Sequence, residues 1–66
     1  MTFKDKLLHR LGRQDITAVA LSRKSGIPVK TIHAWIQGRS EPGMRNLILL
    51  TRTLGCKAED LFPDNV

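Results

Sequence analysis

Residues Ser25–Arg39, "SGIPVKTIHAWIQGR", decide how this chain is read. The stretch opens on Ser-Gly, carries a proline two residues after the glycine and holds the only tryptophan of the sequence. It contains no acidic residue. At about 100° per residue, Ile32, Trp35 and Ile36 share one side of a helix, and Lys30, His33, Ala34 and Gln37 share the other. One side has bulk to bury, while the other is polar or small. Pro28 suits the first turn of such a helix, because its ring fixes φ there. The spacing therefore predicts a helix from about Pro28 to Gln37, ended by Gly38.

The flanks read the same way. Upstream, Thr17 is an N-cap for a helix with Ala20 and Leu21 inward, which stops before Gly26. Thr2, with Asp5 three residues on, marks the start of a first helix. Phe3, Leu7, Leu8 and Leu11 line one face of it, and Gly12 ends it. Downstream, Pro42 and Gly43 start a fourth helix that Gly55 closes, with Met44, Leu47, Leu50, Thr51 and Leu54 inward. Ala58–Phe62 make a short fifth helix before Pro63. Nothing alternates like a strand, and there are no repeats. The expected fold is all-α: one compact domain over residues 1–66, built from five short helices.

Composition narrows the function. A chain of 66 residues buries only about 60% of its unfolded surface, so tight packing or self-association must support it. Cys56 is the only cysteine and has no partner within the chain, which fits a reducing, cytoplasmic setting. "MTFKDKLL" lacks an apolar signal core, and the longest apolar runs, Ala18–Leu21 and Leu47–Leu50, are far too short to span a membrane. His9 and His33 have no cysteine or carboxylate at ligand spacing, so no metal is expected. No Ser–His–Asp set, carboxylate pair or phosphate-cradling glycine loop can be assembled, so neither catalysis nor a cofactor is expected.

The charge is unevenly placed. All eleven Lys and Arg stand within residues 1–57, against Asp5, Asp15 and Glu41 only. Glu59, Asp60 and Asp64 follow in the tail. Between Asp15 and Glu41 the formal charges are Arg23, Lys24, Lys30 and Arg39, all positive. A field of one sign suits a polyanionic partner. A helix made only for solvent would more often pair acids with bases at i, i+4. Lysine, histidine, glutamine and a small methyl group instead suit the floor of a DNA major groove, where acids would meet phosphate repulsion. Lys4, Lys6 and Arg10 on the first helix read as a solvated face. Trp35 reads as core and Cys56 as a small buried hydrophobe.

Two short helices joined at Gly26-Ile27-Pro28 match a helix-turn-helix, with glycine permitting the bend. Ser22 is small where the helices approach, and Ile27 is apolar where the turn folds back. Together with Leu21, Ile32 and Trp35, these residues resemble the lambda-repressor-like, Cro/cI-type helix-turn-helix family over roughly residues 16–62. "QGRSEP" is similar to that family's glycine-basic exit, and "LTRTLGCKAEDLF" to its closing helices. Ala18 stands where the family often has a phosphate-binding glutamine, which leaves that contact to backbone N–H groups. Pro28 and Lys57 replace the usual capping residues.

The resemblance implies a bacterial or phage regulator, most simply a repressor, that binds double-stranded DNA. It implies base reading by Val29, Lys30, Thr31 and Ala34, with Lys30 donating to guanine and Val29 and Ala34 meeting thymine methyls. His33, Gln37, Arg39, Ser40 and Arg45 would hold phosphates. Leu49, outward on the fourth helix, Ile48 at its edge and Phe62 form an expected homodimer interface. The rival is an antitoxin or other protein-interaction module on the same fold. RNA is a poorer partner, since exposed stacking aromatics are absent. No motif points to a small-molecule effector.

Overall fold

Thr2 starts the first helix as its sequence requires. In α1 (Phe3–Gln14) the Thr2 hydroxyl accepts from the Asp5 N–H, and the Asp5 carboxylate accepts from the Thr2 N–H, each at 3.2 Å. This reciprocal capping box satisfies two donors that a helix start leaves orphaned. Donation from the Thr2 backbone, with its side chain adding to it, holds the Asp5 carboxyl below its ordinary value. The computed structural model describes residues 2–62.

Gly12 does not end α1, contrary to the sequence expectation. A glycine inside an exposed helix costs about 1 kcal/mol, which weakens a helix without breaking it. The helix runs two residues further, to Gln14, and closes at Asp15, which takes the left-handed conformation at φ 53°. Its N–H bonds Gly12 O at 3.2 Å, and the Ile16 N–H reaches back to Leu11 O at 3.0 Å. Ile16 then packs on the core, the apolar contact that usually accompanies this double closure.

Three further α-helices follow: α2 (Ala18–Ser25), α3 (Val29–Ile36) and α4 (Met44–Leu54). Thr17 caps α2 by accepting from the Ala20 N–H at 3.1 Å. The described residues thus hold four α-helices and no strand. The fifth element is one 3-10 turn, Ala58–Asp60, and not the helix expected to run to Phe62. The Lys57 N–H donates to the Asp60 carboxylate at 2.9 Å, and Leu61 is drawn fully into the core directly after the turn. Pro63 and Asp64 lie outside the described residues.

The core joins Phe3, Leu7 and Leu11 of α1 to Leu21, Ile27, Ile32, Trp35, Leu47, Leu50, Leu54 and Leu61. Phe3 meets Trp35 edge-on, with ring centroids 6.1 Å apart, a favoured aromatic geometry. Two expected inward residues are not inside. Leu8 is 40% exposed, because it stands about 100° round the helix from Leu7. Met44 is 73% exposed. Helical side chains lean toward the N-terminus, and the first residue of α4 has no preceding turn to cover. Conversely, Leu49 is not fully outward: it is half-buried against the core, in a helix contacted by both α2 and the final turn. No helix among the described residues is long and apolar enough to cross a membrane.

Candidate nucleic-acid interface

The turn between α2 and α3 is tied down by small polar groups. Gly26 takes φ 80°, a conformation that favours glycine, and its N–H bonds Ser22 O at 2.9 Å. The Ser22 hydroxyl donates to Ile27 O at 2.6 Å. The Ser25 hydroxyl donates to Leu21 O at 2.7 Å and accepts from the Ile27 N–H at 3.1 Å. Ile27 is buried, which pins the turn to the core. The angle at which α3 leaves α2 is therefore held by these local hydrogen bonds and by buried Ile27.

From this turn α3 presents two unlike faces. Ile32 and Trp35 are buried, and Ile36 packs against them. Lys30, His33 and Gln37 are exposed, while Val29, Thr31 and Ala34 are half-buried. The wheel phase read from the sequence is the phase observed for Ile32, Trp35, Lys30, His33 and Gln37, while Ala34, expected outward, sits half-buried at the boundary. At the far end Gly38, φ 76°, closes the helix through its N–H to Trp35 O at 3.0 Å. The Arg39 N–H reaches Ala34 O at 2.9 Å, which fixes the backbone of this basic residue against the helix end. Arg39, Ser40 and Arg45 are all exposed.

Electrostatically the α2–α4 side is open. None of α2, α3 and α4 has an acid in its first turn, and no side chain caps α3 or α4. Helix N-termini carry a partial positive charge, so uncapped ends add to the field of Lys30, Arg39 and Arg45. Ala18 is half-buried against the core, and so is packing matter rather than a phosphate ligand.

The α1 bases do not form one solvated face. The Arg10 guanidinium stands 3.7 Å from the Asp60 carboxylate, and Lys6 Nζ donates to Glu59 O at 3.5 Å. Both turn toward the final 3-10 turn. Lys4 turns elsewhere: a Cβ built on Gly38 would lie 3.4 Å from its Cδ. That place depends on how α1 packs on α3, which no local sequence pattern carries. Cys56 follows the left-handed Gly55 and packs on the core. Burial pushes its thiol up from the ordinary range, the behaviour of a structural cysteine. No three His, Cys, Asp or Glu side chains gather as a metal site among the described residues.

A Helix-turn-helix family model matches residues 9–61. The chain belongs to the XRE/lambda-repressor-like helix-turn-helix family. This is a family of DNA-binding regulators, and the match takes in α2, the turn, α3 and α4. No curated protein and no solved structure matches the chain.

Proposed function

We propose that this protein is a sequence-specific double-stranded DNA-binding regulator of bacterial or phage origin, acting in the cytoplasm as a repressor. In this reading α2 and α3 are its helix-turn-helix and α3 enters the major groove. One observation carries it: α3 is locked by buried Ile32 and Trp35, so that an acid-free face of Lys30, His33 and Gln37 points away from the core. Val29, Lys30, Thr31 and Ala34 meet base edges. Lys30 supplies the hydrogen bonds to guanine, and the apolar groups meet thymine methyls. His33, Gln37, Arg39, Ser40 and Arg45 hold phosphates and set the register. The reading needs no metal, cofactor or catalytic group.

The regulator works as a homodimer on a two-fold symmetric site, with recognition helices about 34–36 Å apart. Ile48, Leu49 and Phe62 remain the proposed interface. Ile48 is 43% exposed and supplies its open apolar surface. Leu49 and Phe62 are half-buried and form its floor.

Selection of bound sites from a random duplex pool, followed by sedimentation on the selected site, tests this reading. The expected result is one enriched motif with two-fold symmetry, bound by two chains. Failure to enrich any motif overturns sequence-specific binding. A single chain on an asymmetric site overturns the dimer alone.

A further inference from the structure

We propose that Lys4 of α1 is a phosphate contact of the DNA-bound protein, forming with Gln37 and Arg39 a clamp at the exit of α3. The proposal rests on the DNA-binding reading above and adds a residue that lies outside the matched segment 9–61.

Three observations place it. First, the start of α1 is fixed to the end of α3. The two helices pack together, and Phe3, adjacent to Lys4, stands edge-on to the buried Trp35 ring. Second, the Lys4 stem lies over Gly38, where a Cβ would stand 3.4 Å from Lys4 Cδ. The stem thus lies at the helix end that also carries exposed Gln37 and Arg39. Third, among the described residues the Lys4 ammonium forms no ion pair or side-chain hydrogen bond, and its charge acts on Asp5 only at longer range. Its sequence neighbour Asp5 is held by Thr2.

The contrast with the other α1 bases sharpens the assignment. Lys6 and Arg10 lean on Glu59 and Asp60 of the final turn. Lys4 leans on the helix end that carries the phosphate-binding residues. A lysine is a compact point charge on a flexible stem, suited to a phosphate whose position the neighbouring groups fix. Gln37 and Arg39 bring hydrogen-bond direction, and Lys4 brings charge.

Salt dependence of duplex binding tests this. Lys4→Met keeps an unbranched stem over Gly38 and removes the charge. It should make the slope of log Kobs against log[salt] shallower by about one, equally on selected and random duplexes. Lys4→Arg should restore the wild-type slope, and Lys6→Met should leave it unchanged. Thermal unfolding of Lys4→Met should match wild type. A wild-type slope for Lys4→Met overturns the proposal, and a lowered melting point with an unchanged slope assigns Lys4 to packing only. If wild type binds no duplex, the DNA reading itself fails, and the clamp with it.

Discussion

The N-terminus of α1 and those of α3 and α4 are built on opposite plans. At α1, Thr2 and Asp5 satisfy each other's backbone N–H, and an acid sits in the first turn. At α3 and α4, the N-cap residues are Pro28 and Gly43, no side chain caps either end, and neither first turn holds an acid. A cap is worth about 0.5–2 kcal/mol, a large share for a domain this small. Two helix ends that forgo it keep backbone N–H groups that an anion can complete. The closed end stabilises the fold; in the proposed reading the open ends face the DNA.

The largest effect is expected at the residue that sets the phase of the open side. Trp35→Ala removes the buried ring that Phe3 meets and should cost about 3–5 kcal/mol, enough to unfold most of the chain. Circular dichroism melting measures it. A folded Trp35→Ala protein that merely binds DNA poorly would mean that the tryptophan is not what holds α3 in register.

Next comes the closed end itself. Thr2→Ala should lower stability by about 0.5–2 kcal/mol in urea unfolding while leaving duplex affinity intact. Asp5 carries a pH signature. Its carboxyl is lowered from 3.8 in the folded chain, so its stabilisation is present above that value and is lost as pH falls through the lowered one. Asp5→Asn should flatten this acid limb of stability against pH. An unchanged limb would mean that the box contributes nothing.

Closing an open end should trade binding for stability. Gly43 has extended backbone, φ −77°, and a Cβ there meets nothing within 4 Å. Gly43→Asp can therefore cap α4 without strain, stabilising the fold by about 0.5–1 kcal/mol through the cap and the helix dipole. The same carboxylate should weaken every duplex. A gain in both stability and affinity would break the comparison.

The smallest effects are single charges. Arg39→Ala and Arg45→Ala should each make the salt slope shallower by about one, on selected and random duplexes alike. Unchanged slopes for both would remove the α3–α4 loop from the interface.

Much of this was legible in the sequence, for reasons that differ by element. The phase of α3 was, because Ile32, Trp35 and Ile36 leave one way to bury bulk. The turn before it was, because Gly26 needs a left-handed φ and Ile27 has nowhere to go but inward. The end of α1 was not: Gly12 carries the usual stop signal, yet Asp15 takes the left-handed position once Ile16 can reach the core. Met44 misled because a helical wheel ignores helix ends, and Leu49 because a wheel ignores second neighbours. Lys4 was illegible since its place over Gly38 is a tertiary fact.

The most direct test of a DNA-reading α3 is Lys30→Ala, measured by titration against the selected site, its single-base variants and a random duplex. Lys30 is exposed on the acid-free face, and its loss should cost about 1–3 kcal/mol on the selected site. Preference at one base pair should relax, and affinity for the random duplex should change far less. Equal loss on every sequence would contradict base reading and make Lys30 one more phosphate anchor.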